Sequence, residues 1–243
     1  MLLAGPAALA AADAASISLR GRDQPLHLYG SRGGAPVLLT SGDGGFRNLA
    51  PQVAAFLSAR GYFVVGFDAK HYLSSFTSGS ATLSTADVAT DYRTLVAYAR
   101  GDGSARVLLA GVSEGAGLSV VAAADAGQQA ALAGVLALGL PDVDELGWRF
   151  SDSVIYFTHK VPDEPTFHAA DFLPRLGAVP LASIHSTHDE FVPLPEAQRL
   201  AALPPGPHRL FVIDAADHRF SDRQPELQAT LAEALAWLSA APR

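Results

Sequence analysis

Short apolar runs of strand length alternate along this chain with segments of helical periodicity. The runs YFVVGFDA, ARVLLAGVS and LAGVLALGLP are almost continuously apolar, which is typical of strands that are buried on both faces. Between them, segments such as NLAPQVAAFLSARG and STADVATDYRTLVAYARG carry apolar residues at helical spacing. The alternation predicts an α/β fold, with a mostly parallel central sheet and helices on both of its faces.

Composition narrows the possible functions. A length of 243 residues with 49% hydrophobic residues is sufficient for one large domain. The formal net charge of −7 argues against nucleic acid as a partner, because phosphate contacts need a basic face. The chain has no cysteine, which excludes disulfides and thiolate metal sites. We expect a protein that uses no metal and no cofactor.

The first residues, MLLAGPAALAAADAAS, form a run of small apolar residues with A-x-A sequences at 8–10 and 12–14. Such a run is typical of a secretory signal peptide, although the basic n-region is missing, and the alternative is an Ala-rich disordered tail. We expect residues 1–14 to be a signal-peptide remnant and residues 15–243 to be a single domain. This interpretation predicts a periplasmic or secreted protein.

Residues 142–178 interrupt the alternation of strands and helices. The segment contains aromatic residues and prolines, and its part WRFSDSVIYF alternates in places between apolar and polar residues. We expect an inserted hairpin and loop that serve as a cap or lid over the edge of the sheet. Insertions at the carboxyl ends of strands often shape a pocket.

The sequence GVSEG places Ser113 between Gly111 and Gly115, where a buried strand ends and a helix begins. The pattern G-x-S-x-G also arises by chance, so its position between strand and helix carries the argument. The glycines permit a sharp turn that exposes the serine. We predict that Ser113 is a nucleophile and that the backbone N–H of Glu114 faces a developing oxyanion.

A serine nucleophile needs a base that accepts its proton and an acid that orients the base. Asp189, in IHSTHDEFVP, follows one predicted strand, and His218, in VIDAADHRF, follows the last one. The order serine, acid, histidine is that of α/β-hydrolases. We predict a catalytic triad of Ser113, Asp189 and His218.

Other residues are alternatives for the acid and the base. Asp142 also follows a strand, and Glu190 is the neighbour of Asp189. Five further histidines are candidate bases, although none lies between the last strand and the final helix: His159, His168, His185, His188 and His208.

A second oxyanion donor is expected in the glycine-rich loop TSGDGGF, which follows an earlier strand. Glycine lets a backbone N–H approach a substrate oxygen closely. The N–H of Asp43 or of Gly44 is the expected donor, and the alternative is an ordinary glycine-rich turn before a helix.

The chain resembles the α/β-hydrolase superfamily over nearly its whole length, and the VirJ/AcvB-like bacterial virulence family more narrowly. The second resemblance rests on Gly42 to Phe46, Gly66 to Leu73 and Gly111 to Ala116, which resemble the GDGGW, GVDSLRYFW and GYSFGA motifs of that family. It implies a periplasmic serine hydrolase with an α/β-hydrolase fold, and at least one relative acts on aminoacylated phosphatidylglycerol.

The substrate expected from these features is a small-molecule or lipid carboxylic ester, with a lysyl-lipid ester as one possibility and transient contact with a membrane surface. The carboxylates of Asp43 and Glu114 flank the expected oxyanion site and would attract an ammonium group. The alternative is that both carboxylates face solvent or cap helix ends. Lys70, His71 and Tyr72 follow a strand and are candidate contacts to a head group, with a solvated loop as the alternative. The alternatives are an esterase or thioesterase of small molecules and a non-catalytic periplasmic binding or assembly factor.

Overall fold

The computed structural model describes residues 13–150 and 164–242. Its centre is an eight-stranded sheet with the order β1-β2-β4-β3-β5-β6-β9-β10. These strands are β1 (Asp13–Leu19), β2 (Arg22–Tyr29), β3 (Ala35–Thr40), β4 (Tyr62–Phe67), β5 (Val107–Val112), β6 (Leu132–Leu138), β9 (Leu181–Ser186) and β10 (His208–Ile213).

The strand directions confirm the predicted mostly parallel sheet. From β4 through β3, β5, β6 and β9 to β10, each strand is parallel to the next one in the sheet. The pairs β1–β2 and β2–β4, at one edge, are antiparallel. The carboxyl ends of β3, β5, β6, β9 and β10 therefore meet at one edge of the sheet, where the loops that follow them lie close together.

Helices cover both faces of the sheet. They are α1 (Leu49–Ser58), α2 (Ala69–Phe76), α3 (Thr85–Arg100), α4 (Glu114–Ala123), α5 (Leu194–Ala201) and α6 (Gln224–Ala240). Along β3, Leu38 belongs to one hydrophobic cluster, whereas Val37 and Leu39 belong to the other. Because successive side chains of a strand point to opposite faces, the two clusters are the two layers of the core. The side chains of α3 and α4 fill one layer, and those of α1 and α6 fill the other.

The structure adds two elements to the sequence-based prediction. Strand β1 begins at Asp13, so the last two residues of the expected 1–14 leader belong to the sheet. Helix α2 occupies the segment that was expected to be a loop, because the side chain of Asp68 accepts a hydrogen bond from the backbone N–H of His71 and caps the helix.

The described part of the insertion 142–178 contains a short hairpin. Strands β7 (Val143–Glu145) and β8 (Thr166–His168) pair in antiparallel fashion, and 3₁₀ turns follow at Ala169–Asp171 and Leu173–Arg175. Most of the expected hairpin WRFSDSVIYF lies outside the described residues. Within the described parts of the chain, no helix is long and apolar enough to cross a membrane.

Candidate active site

Ser113 stands on a strained turn between β5 and α4. Its backbone has φ 52° and ψ −124°, a conformation that costs a non-glycine residue of the order of 1–3 kcal/mol. A side chain at Gly111 would collide with the backbone of Gly115, and one at Gly115 would collide with the carbonyl oxygens of Thr40 and Ser41. Both glycines are therefore required by close backbone packing, and together they hold the serine in the position of a nucleophile elbow.

His218 and Asp189 form a buried pair at the same edge of the sheet. Asp189 follows β9, His218 follows β10, and the two strands are parallel neighbours. The Nδ1 atom of His218 lies 2.6 Å from Oδ2 of Asp189. The Nε2 atom of His218 is buried and has no hydrogen-bond partner among the described residues. The imidazole is thus oriented by the carboxylate and keeps a second nitrogen for proton transfer.

The surroundings of Asp189 keep it ionised. Burial alone would raise the pKa of Asp189, but the hydrogen bond and the charge interaction with His218 and the backbone N–H groups of Val192 and Phe191 together lower it below its usual value. Oδ1 accepts those amides at 2.9 and 3.0 Å. An ionised Asp189 can stabilise a protonated imidazole.

One cavity of about 340 Å³ brings the predicted residues together. Ser113, Glu114 and His218 line it, as do Gly42, Asp43 and Gly44 of the predicted oxyanion loop. The loop lies directly against the nucleophile, since a Cβ atom on Gly42 would be 3.3 Å from Cβ of Ser113. Residues of two separate loops, Gly42–Gly44 and Ser113–Glu114, therefore border the same space, as the predicted oxyanion donors require.

Asp68 holds the oxyanion loop in place, a role that the sequence analysis missed. Its Oδ2 accepts the backbone N–H of Phe46 at 3.0 Å, and its Oδ1 accepts the N–H of His71 at 2.9 Å. Gly45, with φ 88°, lets the loop turn beside the Asp68 carboxylate. The ring of Phe46 stacks on His27 with centroids 4.3 Å apart. His27 lies on β2 and reaches this loop because β2 pairs with β4, the strand that precedes Asp68.

The alternative acids have other partners. Asp142 lines the cavity, but its carboxylate accepts hydrogen bonds from Arg199 at 2.9 Å and from the backbone N–H of Ala170 at 2.9 Å. Glu190 accepts the backbone N–H of His218 at 2.8 Å. Glu190 thus supports the histidine loop, whereas Asp189 contacts the imidazole ring.

The alternative bases lie elsewhere or have structural partners. The Nε2 atom of His185 is 2.9 Å from the carbonyl oxygen of Val192, and burial lowers the pKa of this histidine. The remaining described histidines form other contacts: His168 with Asp142, His188 with Thr187, and His208 with the carbonyl of Gly206. His159 lies outside the described residues.

The structure does not bring Lys70, His71 and Tyr72 to the lining of the cavity, so their contact with a head group stays a prediction without support there. They belong to α2. The Lys70 ammonium lies 4.0 Å from the ring centroid of Trp148, and Nε2 of His71 is 3.2 Å from the carbonyl oxygen of Asp23. The buried hydroxyl of Tyr72 donates to Asp91 at 2.7 Å. Helix α2, which begins after Asp68, places these side chains in contacts outside the cavity lining.

The carboxyl group of Glu114 is not a solvated anion beside the oxyanion site. Glu114 is only 6% exposed, and both of its carboxyl oxygens accept the backbone N–H of Glu145, at 3.1 and 3.2 Å. Burial, the nearby carboxylates of Asp144 and Glu145, and Asp43 raise the pKa of Glu114 well above its usual value. The expected attraction of this side chain for an ammonium group is therefore corrected, because the tertiary structure favours its neutral form.

No cluster of three or more metal-ligating His, Cys, Asp or Glu side chains occurs in the described ranges 13–150 and 164–242. The chemistry available at the cavity is that of a serine, a histidine paired with a carboxylate, and converging backbone N–H groups.

Residues 35–149 match the model of the family described as bacterial virulence protein (VirJ). The matched range contains the oxyanion loop and Ser113, whereas Asp189 and His218 lie beyond it. No curated protein matches the chain significantly in sequence.

The overall structure is similar to solved α/β-hydrolases. One is a membrane phospholipase A described as a bacterial virulence factor, with a TM-score of 0.70, 16% identity, and coverage of 95% of this chain and 87% of that chain. Est1E from Butyrivibrio proteoclasticus has a TM-score of 0.67, 15% identity, and coverage of 93% and 99%. A dienelactone hydrolase from Anabaena variabilis has a TM-score of 0.65, 18% identity, and coverage of 96% and 98%. These likenesses show the fold.

Proposed function

We propose that this chain, which has the α/β-hydrolase fold, is a serine hydrolase that cleaves carboxylic esters through an acyl-enzyme intermediate. The observation that carries the proposal is the strained Ser113 in one cavity with the His218 imidazole, whose Nδ1 lies 2.6 Å from Asp189. A strained serine conformation costs free energy, and such strain is typical of functional sites. In a nucleophile elbow the same conformation exposes the serine hydroxyl to the substrate.

The proposed reaction assigns one role to each group. His218 accepts the proton of Ser113 at Nε2 while the serine oxygen attacks the ester carbonyl, and Asp189 stabilises the resulting imidazolium. The backbone N–H groups of Glu114 and of Asp43 or Gly44 stabilise the oxyanion. The protonated His218 then gives its proton to the leaving alcohol. Water, deprotonated by His218, hydrolyses the acyl-enzyme and releases the acid.

A fluorophosphonate probe tests the proposed nucleophile on the intact protein. We expect the mass of the protein to increase by one phosphonyl group, and peptide mapping to locate the group on Ser113. Heat-denatured protein is the control and should stay unlabelled, because only the folded site activates the serine. A lack of labelling in the folded protein would favour a non-catalytic binding function instead.

The Asp68→Ala variant should lose the tether of the oxyanion loop. We expect kcat for an activated ester to fall by about tenfold to a hundredfold, since misplaced donors stabilise the oxyanion less well. Loss of the cap of α2 should also lower the free energy of unfolding by about 1 kcal/mol. Asp68→Asn keeps one oxygen acceptor and should recover part of the rate. An unchanged kcat in Asp68→Ala would show that Asp68 does not position the oxyanion donors.

The substrate class that we propose more narrowly is an aminoacyl ester, such as aminoacyl-phosphatidylglycerol at a membrane surface. Besides Glu114, four carboxyl groups line the cavity, those of Asp43, Asp142, Glu145 and Glu196, against the guanidinium groups of Arg47 and Arg219 and that of Arg199, which pairs with Asp142. This imbalance favours a cationic acyl group over an anionic one. A periplasmic or secreted location is part of the proposal, supported by what the resemblance to the VirJ/AcvB-like family implies and by the apolar first residues.

A matched series of lysyl, neutral and acidic acyl esters tests the charge preference. We expect the kcat/KM of the lysyl ester to exceed that of the neutral ester by roughly tenfold, a difference of about 1.4 kcal/mol. Asp43→Asn should reduce that ratio while it leaves the backbone donor in place. Equal kcat/KM values across the series would exclude the aminoacyl proposal.

A soluble small-molecule ester or thioester is the second candidate substrate, because a cavity of about 340 Å³ is small for a lipid. Aminoacyl-lipid in vesicles should be compared with a soluble aminoacyl ester of the same acyl group. Higher turnover of the vesicle substrate would favour the lipid, and turnover of the soluble ester alone would favour the small molecule.

A further inference from the structure

Behind the nucleophile lies a group of buried carboxyl side chains that the proposed reaction does not use. Glu114 and Glu145 are each 6% exposed, and Asp144 is completely buried. Glu114 is the first residue of α4, whereas Asp144 and Glu145 belong to β7. Burying several ionised carboxylates in contact is very unfavourable, so at least one of them is expected to retain its proton.

The surroundings of Asp144 locate the retained proton in its contact with Glu114. Apart from the carboxyl group of Glu114, no hydrogen-bond donor in the described part of the chain reaches either carboxyl oxygen of Asp144. Asp144 hydrogen-bonds instead with the carboxyl of Glu114, and the other charged groups that face it are also acidic: Asp142, Glu145 and Asp43. Two carboxyl groups in contact can be satisfied only if one donates a proton to the other.

The other contacts of Glu114 are compatible with a proton shared with Asp144. Both of its carboxyl oxygens already receive the backbone N–H of Glu145. From α3, the buried hydroxyl of Tyr92 faces Glu114, but it hydrogen-bonds with Thr40 and Ser119. No cation acts on Glu114 or Asp144 among the described groups that shift their pKa. One proton shared between the carboxyl groups of Glu114 and Asp144 therefore satisfies both.

We propose that Glu114 and Asp144 form a proton-sharing carboxyl pair that fixes the nucleophile elbow to the first strand of the insertion. In the proposed hydrolase, on which this role rests, the backbone N–H of Glu114 is an oxyanion donor. Its side chain binds β7, whose residues Val143 and Glu145 line the cavity. The pair thus positions both the donor and one wall of the cavity, while the carboxyl groups themselves do not react.

The sequence around the pair provides the space that it needs. A side chain at Gly117, one turn after the nucleophile, would collide with the carboxyl of Asp144. Gly117 therefore lets β7 approach α4 closely enough for the two carboxyl groups to meet. Glycine is usually destabilising in the interior of a helix. At position 117 it is explained by the Asp144 carboxyl, which lies against the helix backbone.

The pair makes folding depend on pH in a defined direction. Burial and the neighbouring carboxyl groups raise the pKa of both Glu114 and Asp144. The folded protein then holds a proton that the unfolded chain releases above about pH 4, the ordinary carboxyl range. Stability from this source is present at low pH and is lost as the pH rises toward the raised pKa of the pair.

Denaturant unfolding from pH 5 to 8.5 tests the pair without use of activity. For wild type, we expect one linked proton to increase the unfolding constant by up to about tenfold per pH unit. In Asp144→Asn the amide donates permanently to Glu114, so this contribution should disappear. Glu233→Gln, which changes an exposed carboxyl on α6, is the matched control and should keep the wild-type slope. Equal slopes for wild type and Asp144→Asn would overturn the proposal.

Infrared spectroscopy of the wild-type protein gives a measurement that does not depend on how well a variant folds. At pH 7 the folded protein should have the C=O stretching band of a protonated carboxyl group, and Asp144→Asn should lack it. The absence of this band from wild type would also overturn the pair.

The pH profile of phosphonate labelling tests the positioning role. We expect the wild-type labelling rate to fall as the pair ionises, and this alkaline decrease to be absent from Asp144→Asn. Asp144→Ala should label about tenfold more slowly at every pH. Identical profiles in wild type and Asp144→Asn would remove the positioning role. A lack of labelling in every protein, with the slope difference intact, would instead reject the hydrolase and retain the pair.

Discussion

Ester turnover by the Ser113→Ala variant should fall by about 10⁴-fold to 10⁶-fold, because the residual oxyanion donors cannot replace a nucleophile. Phosphonate labelling should disappear completely. The stability of Ser113→Ala should match that of wild type, since alanine at φ 52° is strained like serine. The measurements are kcat/KM with an activated ester, labelling, and denaturant unfolding.

Two further serine variants make this result specific. Ser113→Gly also lacks the hydroxyl but relieves the positive φ, so it should be inactive and more stable than wild type by about 1 kcal/mol. Ser239→Ala removes an exposed hydroxyl on α6 and should label as wild type does. Labelling that persists in both Ser113 variants would place the nucleophile elsewhere.

The Asp189→Asn variant is expected to lose about 10⁴-fold in kcat, with little change in KM. The side-chain amide is nearly isosteric, but its NH₂ group can donate a proton toward Nδ1 of His218. This hydrogen bond favours the imidazole tautomer with its proton on Nε2, which cannot accept the proton of Ser113. The carboxylate that stabilises the imidazolium is also lost.

Asp142→Asn is the matched comparison, since Asp142 was the alternative acid and also lines the cavity. Its carboxylate contacts Arg199 and the N–H of Ala170, not His218. We expect a loss of less than tenfold in kcat. A loss as large as that of Asp189→Asn would reassign the acid and contradict the proposed triad.

The fold was largely predictable from local pattern. Runs such as VLLAGV in β5 are apolar throughout because the strand is buried on both faces, and this pattern alone indicates a parallel sheet. Strand β1 was missed because its residues DAASISL follow an Ala-rich run and gain their strand structure from pairing with β2. Helix α2 was missed because its cap, Asp68, also serves the distant loop at Phe46.

The site was predicted from the order of serine, acid and histidine along the chain. Ser113, Asp189 and His218 each follow a strand, and parallel strands bring the loops after them to one edge. The roles of Asp68 and Asp144 had no comparable signal, because each acts on a residue far away in sequence. The same reason explains Lys70, His71 and Tyr72, which follow β4 in sequence but belong to α2 and lie outside the cavity lining.

The sequence by itself determined the strand and helix alternation, the strained serine between glycines, and the order of serine, acid and histidine, because these features depend on local conformation and chain order. Only the tertiary structure decided which carboxyl group meets His218 and what charge Glu114 carries. In the sequence Glu114 is an acidic residue beside the nucleophile. In the fold it is buried against Asp144 and the N–H of Glu145, and desolvation by distant parts of the chain sets its protonation.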